Sequence, residues 1–274
     1  VCRSEHPVDD DIKRKLALFT NVRPKNVIES RDASTIYEVP VMMYNEKLDE
    51  VVLDHFSLES KTEPNLDKWR EFLSRLKNPK RTVEIGLIGK YVELKESYKS
   101  ITESFIHAGA ANEVEVKIRW IHSEHLTMEN AAVTCKGLDG ILVAPGFGER
   151  GFEGKVSTVQ YARENGVPYF GICYGMQAAV IEYARNVLGW SDANTTEVNA
   201  ETSKPVIALM DDQMHVTDKG GTMRLGAQNC VLEEGSKASE SYGTTHISER
   251  HRHRYEFNNQ FKEELTAAGL KTTG

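Results

Sequence analysis

The chain has 274 residues, of which 39% are hydrophobic and 27% charged, and a net charge of −7. That length suits one large or two medium domains, and the composition suits a soluble globular protein. The acidic balance argues against a nucleic-acid binder, and no apolar stretch is long enough to predict a membrane span.

Cys2, Cys135, Cys173 and Cys230 are scattered without metal-ligand spacing, and no signal or transit peptide is visible at the start. A reduced, cytoplasmic chain is the expectation. Val1-Cys2-Arg3 reads like the tail of a strand, and the chain stops at 270–274 where a further strand is expected to begin. The sequence is therefore read as a fragment.

Residues 1 to about 64 have mixed character. A helical segment is predicted around 11–19, and 22–27 carry turn chemistry around Pro24. Residues 36–40 and a polar stretch around 46–54 follow. Asn65 is placed as the N-cap of a helix through Trp69, Phe72 and Leu76, ended by Asn78-Pro79.

A new regime opens at about Thr82, where strands and helices alternate. Strands are predicted over 83–89, 114–121, 140–144, 167–172 and 205–210. An amphipathic helix face is marked by Leu94, Tyr98, Ile101, Phe105 and Ala108, and a second helix covers 153–165. Alternation of this kind predicts an α/β fold with a mostly parallel sheet and helices on both faces, its chemistry beyond the carboxyl ends of the strands.

The apolar run 167–172 ends in Cys173, with Gly171 before it and Gly175 after it. A helix-period face of Met176, Ala179, Val180, Tyr183 and Val187 follows. Strand, sharp turn and helix is the layout of a nucleophile elbow carrying cysteine. Glycines permit close packing around a strained nucleophile, and free N–H groups at the helix start favour thiolate over thiol. The alternative is a buried structural cysteine.

The loop 144–151 (Ala-Pro-Gly-Phe-Gly-Glu-Arg-Gly) holds an oxyanion with its N–H groups or is an ordinary turn. The basic run 249–256 is a solvated face or a carboxylate site. Its His251 and His253 share a face in extended backbone, and no residue pattern brings that face to Cys173. Residues 220–226 form a mobile lid or a simple hairpin, and 194–197 read as a loop only.

Taken together, GICYGMQ (171–177), DANTTE (192–197), GGTMRLGAQ (220–228) and ERHRHRYEFNN (249–259) resemble the CTP synthase family, in the family's order and spacing. The resemblance covers nearly the whole chain. It implies a C-terminal amidoligase remnant over 1–64, a helix and linker over 65–81, and a class I glutaminase domain over 82–274 that stops short of its own end. It implies a ligase of pyrimidine biosynthesis that converts UTP to CTP with ATP and ammonia drawn from glutamine. Cys173 would be the nucleophile that forms a glutamyl thioester. Gly146, Tyr174, Gly175, Met176, Gln177, Glu197 and Arg254 would bind the oxyanion or glutamine. Arg3, Arg31, Asp32 and Ala33 would contact ATP, Lys15 would contact UTP or CTP, and Phe147 and Arg224 would serve GTP activation. Mg2+ would accompany ATP on ligands outside the chain, with no metal ligand and no prosthetic group within it. A homotetramer is implied, without nucleic-acid or membrane partners.

Two positions depart from the family's pattern. Pro145 stands where many members have glycine and has no N–H, so Gly146 is expected to supply the amide. Tyr174 replaces the usual leucine. The family's base lies in a His-Pro-Glu sequence that does not occur here. Two rival readings are a non-catalytic binding module on the same fold and the glutaminase of another synthetase.

Overall fold

The residues 140–143, Gly-Ile-Leu-Val, are buried without exception, as a strand covered on both faces must be. They form the strand next to which the candidate site is built. The computed structural model describes residues 1–60, 62–209 and 224–274, the side chains of Arg224 and Leu225 excepted. The described residues fall into two compact units, Val1–Thr82 with Ser104–Glu115, and Val83–Glu103 with Val116–Gly274.

The first unit contains strands β1 (Cys2–Ser4) and β2 (Glu29–Arg31), paired in parallel with Arg3 opposite Ser30. Helix α1 (Asp10–Thr20) starts at Asp9, whose carboxylate accepts from the Ile12 N–H. It ends at Asn21 in the left-handed region. Residues 36–45, which the sequence pattern does not assign, form a 3₁₀ turn running into α2 (Val39–Asn45), and the polar stretch after it is α3 (Leu48–Phe56). Helix α4 (Asp67–Lys77) opens one residue later than expected, with Leu66 at the N-cap position, while the Asn65 side chain accepts from the Asp67 N–H at 2.9 Å. Trp69 and Phe72 of α4 pack against Tyr37, and the Trp69 indole donates to the Tyr37 carbonyl at 2.8 Å.

The second unit holds most of β3 (Arg81–Gly89) and β4 (Val114–His122), then β5 (Gly140–Val143) and β6 (Tyr169–Gly171). They form one sheet of order β4-β3-β5-β6, in which β5 pairs in parallel with both β3 and β6. A 3₁₀ turn over Lys95–Tyr98 precedes α5 (Lys99–Ala111), so Leu94 is not on that helix but exposed ahead of it. Helices α6 (Ala131–Thr134), α7 (Phe152–Asn165) and α8 (Tyr174–Asn186) complete this layer. The expected α/β architecture with a mostly parallel principal sheet is thus present.

A second sheet, of order β11-β8-β7, comprises β7 (Asn194–Thr195), β8 (Pro205–Leu209) and the antiparallel β11 (Tyr255–Phe257). An antiparallel pair, β9 (Arg224–Val231) with β10 (His246–His253), stands apart from both; the short helix α9 (Lys237–Tyr242) connects its strands, and α10 (Lys262–Ala267) follows β11. Residues 220–223 of the lid-or-hairpin segment lie outside the described residues. Arg224 opens β9 opposite His253.

The buried face of α8 corrects the sequence reading. Tyr174, Ala178, Ile181 and Ala184 point inward with Val180, whereas Met176 and Val187 are both about two-fifths exposed. The difference arises because Gln177 and Glu182 are also buried, each bonded to a partner distant in sequence: the Gln177 amide NH2 to the Tyr255 carbonyl, and Glu182 to Arg163. Glu182, fully buried, receives the Arg163 guanidinium from α7 at 2.8–3.1 Å, and Asn186 donates to it at 3.0 Å. Arg163 keeps about a third of its side chain in water.

That asymmetry gives a prediction for urea unfolding. Arg163→Met leaves a buried carboxylate uncompensated and destabilises by about 3 kcal/mol. Glu182→Leu costs less, because the remaining guanidinium can turn to solvent. The reverse order of the two variants would refute the assignment.

Candidate active site

The site begins with the constraint on Cys173. Its backbone has φ 53° and ψ −105°, a strained conformation for a residue with a side chain. The strain is enforced from both sides. The Ile172 N–H donates to the Val143 carbonyl at 3.0 Å, fixing the end of β6 against β5, and the Gln177 N–H donates to the Cys173 carbonyl at 3.1 Å, starting α8. A side chain at Gly171 would sit 2.5 Å from the Gly175 backbone, and one at Gly175 would overlap the Val143 carbonyl. Only hydrogen at both positions lets the helix start this close to the strand.

The half-buried Cys173 sulfur faces the backbone N–H groups of Tyr174 and Gly146. Gly146 is the amide singled out because Pro145 has none to give. Burial pushes the thiol up from its ordinary range. The Tyr174 amide, the Lys155 charge and the Gly146 amide pull it down, and Glu197 pushes it up further. The direction overall is upward, which corrects the expectation that the helix start alone favours thiolate: burial outweighs the amides here.

A cleft of about 780 Å³ opens at the sulfur. It brings together Cys173, Gly146, Phe147, Tyr174, Gln177, Glu197 and Arg254 from four separate stretches of chain. Pro145, Tyr91, Tyr98, Ile101 and His253 complete much of its wall. Gln177 donates to the Tyr255 carbonyl at 3.0 Å, and its buried Oε1 has no hydrogen-bond partner. Glu197 follows the short strand β7, so the DANTTE stretch is more than a loop. Its Oε1 accepts from the Gly148 N–H at 2.9 Å. The carbonyl of the same residue accepts from the Tyr174 hydroxyl at 2.6 Å. Arg254 sits at the bend between β10 and β11, its guanidinium 5.8 Å from the Tyr255 ring centre.

Other expected site residues lie elsewhere. Gly175 and Met176 do not line the cleft: the Gly175 N–H is used by Ile172 and its carbonyl by the Tyr169 hydroxyl, and Met176 faces outward. Phe147 is about two-thirds exposed, with the Lys90 ammonium 5.3 Å from its ring centre. In the first unit, Arg3 pairs with Asp32 at 2.7 Å, Arg31 pairs with Glu29 at 3.1 Å, and Ala33 follows them. Lys15 is exposed and does not line that unit's cleft, which is walled by Lys13, Arg14, Lys25 and Glu46.

Two features escaped the sequence reading. His253 does line the Cys173 cleft, with its Nε2 2.8 Å from His251 Nδ1 and its Nδ1 3.5 Å from Glu256. Lys155 is buried under the glycine-rich loop, donating to the Ala144 carbonyl at 3.0 Å. Its only sequence signal is a lysine set among residues that all turn inward, 154–159.

The upward displacement of the Cys173 thiol yields a prediction. Its alkylation by iodoacetamide, followed by mass spectrometry, keeps accelerating past about pH 9.5, where an unperturbed thiol with its midpoint near about 8.5 approaches its plateau. A plateau reached below that pH would contradict the burial argument.

Comparison with known proteins gives the following. Residues 93–274 match the family described as glutamine amidotransferase class-I, and residues 1–58 match the one described as CTP synthase N-terminus. The chain is 59% identical over its whole length to the CTP synthase of Cytophaga hutchinsonii and 57% to that of Flavobacterium johnsoniae, covering 51% of each. It thus spans about half the length of the curated relatives it matches. The glutaminase domain of Trypanosoma brucei CTPS, solved with bound acivicin, is similar at 41% identity and a TM-score of 0.63, over 68% of this chain and 72% of that one. No helix among the described residues is long and apolar enough to cross a membrane. With two family matches in sequence order, relatives that align along the whole of this chain, and a structural neighbour that shares the fold over about two thirds of it, the chain belongs to the CTP synthase family and carries its class-I glutamine amidotransferase region.

Proposed function

We propose that the second unit hydrolyses the side-chain amide of glutamine at Cys173. The observation that carries this reading is the convergence of an elbow thiol, two backbone N–H groups on its sulfur, a carboxylate and an arginine in one cleft. Glutamine has complementary parts. Its α-carboxylate suits Arg254. Its α-ammonium suits Glu197 and the unpaired Gln177 Oε1. The carboxamide then meets the sulfur.

In this scheme Sγ attacks the amide carbon, and the oxyanion forms beside the amides of Gly146 and Tyr174. The thiol proton goes to the departing nitrogen, the C–N bond breaks, and ammonia leaves a glutamyl thioester. Water then cleaves the C–S bond, returning the thiol and releasing glutamate. The resemblance puts the proton-transferring base in a His-Pro-Glu sequence absent from these 274 residues. The chain alone is therefore expected to turn glutamine over several orders of magnitude more slowly than an intact triad enzyme.

We further propose that the parent protein is a CTP synthase in which this ammonia aminates UTP at the expense of ATP, with GTP as activator, as a cytoplasmic homotetramer. The division at 1–64, 65–81 and 82–274 belongs to the same proposal and is supported by the two family matches. Among the described residues no cluster of three or more His, Cys, Asp or Glu side chains fits a metal ion, so no step is derived through Mg2+. Arg3, Arg31, Asp32 and Ala33, gathered at the ends of β1 and β2, remain the proposed ATP contacts, with Lys15 for the pyrimidine nucleotide and Phe147 and Arg224 for GTP.

The test is covalent labelling. In a protein of the relatives' full length, diazo-oxo-norleucine or acivicin attaches to Cys173, and Cys173→Ala abolishes attachment. Arg254→Ala slows labelling about 30-fold, the equivalent of a charged hydrogen bond of about 2 kcal/mol. Reversible binding without attachment supports the binding module instead. Failure of a protein of the relatives' full length to bind UTP would remove the CTP synthase reading while leaving the glutaminase one.

A further inference from the structure

The fold places one unassigned cation beside the nucleophile. Lys155 lies on the first turn of α7 and is 1% exposed. Its Nζ donates to the Ala144 carbonyl at 3.0 Å, so it grips the loop one residue before Pro145. It lies 2.9 Å from the point that a side chain on Gly146 would occupy, and 4.9 Å from the centre of the Tyr174 ring. Tyr174 is the residue next to the sulfur and Gly146 carries one of the amides facing it; the ammonium lies against the ring of the first and is bonded to the chain two residues before the second.

We propose that Lys155 is a positioning residue for the Cys173 thiol, holding the 144–146 turn so that the Gly146 amide meets the sulfur and facing the sulfur with a fixed positive charge. The inference rests on reading Cys173 as the nucleophile. It supplies what the helix start alone does not: an opposite charge in a partly desolvated setting, where such a charge moves a neighbour's titration most.

The surrounding groups are few. Cys173 is faced by Lys155 and, in opposition, by Glu197, besides the amides of Tyr174 and Gly146. Lys155 is faced by Cys173 and by the like charge of Lys90. Burial pulls Lys155 down to about 8, partly resisted by the sulfur's charge and reinforced by Lys90. Its ammonium is therefore present at neutral pH and is lost as pH rises through that value, before the upward-displaced thiol reaches its own midpoint. The lysine's help to the thiolate is then confined to the lower part of the thiol's titration, which a distant or solvated lysine would not impose.

Two measurements on the full chain test this, neither needing glutamine. The first is the pH profile of Cys173 alkylation by iodoacetamide in wild type and Lys155→Met. Removing the charge should slow alkylation about tenfold at pH 7.5, a one-unit rise in the thiol's midpoint. An unchanged profile overturns the proposal.

The second is the reciprocal effect, which does not depend on how Lys155→Met folds. The Lys155 ε-carbon, followed by NMR in 13C-lysine-labelled protein, should titrate at lower pH in Cys173→Ala than in wild type, because the sulfur's charge no longer supports the ammonium. An equal or higher midpoint overturns the proposal even where the methionine variant reacts slowly, since slow alkylation would then reflect loop collapse. If both midpoints move yet diazo-oxo-norleucine does not label Cys173, the glutaminase reading fails alone. If labelling occurs and neither midpoint moves, this inference fails alone.

Discussion

The chemistry of this molecule depends on a backbone held where it does not rest. Cys173 occupies positive φ because β6 is pinned to β5 through Ile172 and Val143, while α8 must begin at once with Gly175 against the same Val143 carbonyl. Relaxing that corner would swing the sulfur away from the Gly146 and Tyr174 amides. The buried strand β5 and the apolar face of α8, with Ala178, Ile181 and Ala184 inaccessible, supply the packing that holds it. Sheet and core matter to function here chiefly as the clamp on one residue's dihedral angles.

The electrostatics of the site are a contest rather than a gift of the helix. Burial favours the neutral thiol, Glu197 opposes ionisation, and two amides and the Lys155 ammonium favour it. A carboxylate near the sulfur is tolerable when its own role is elsewhere: Glu197 is tied to the Gly148 N–H and set in the cleft at a place suited to a cationic group. In the proposed scheme, a cationic group bound at Glu197 would move the balance at the sulfur toward thiolate.

Much of this was legible in the sequence where the signal was local. The unbroken apolar run 140–143, the glycine-flanked Cys173 and the Pro145 that cannot donate are each readable from a few adjacent residues. What was not legible depended on contacts across the chain. The α8 face was misindexed because Gln177 and Glu182 look solvent-facing until Tyr255 and Arg163 arrive to satisfy them. Residues 194–197 looked like loop throughout because β7, which takes in Asn194 and Thr195, exists only by pairing with β8; Glu197 itself lies in the turn that follows. Lys155 looked like any surface lysine because the Ala144 carbonyl that holds it is eleven residues away. His253 reached the cleft through the bend after β10, which an alternating Arg-His pattern does not announce.

The glycine-rich loop is bolted down at successive points. Ala144 is held by Lys155, the Gly148 carbonyl by the Tyr174 hydroxyl, and the Gly148 N–H by Glu197. A loop fixed in this way is a floor and cannot act as a door. Passage of any molecule to the sulfur is therefore left to the other walls, to which Tyr91, Ser97, Ser100 and Ile101 and the residues of the β10–β11 bend contribute.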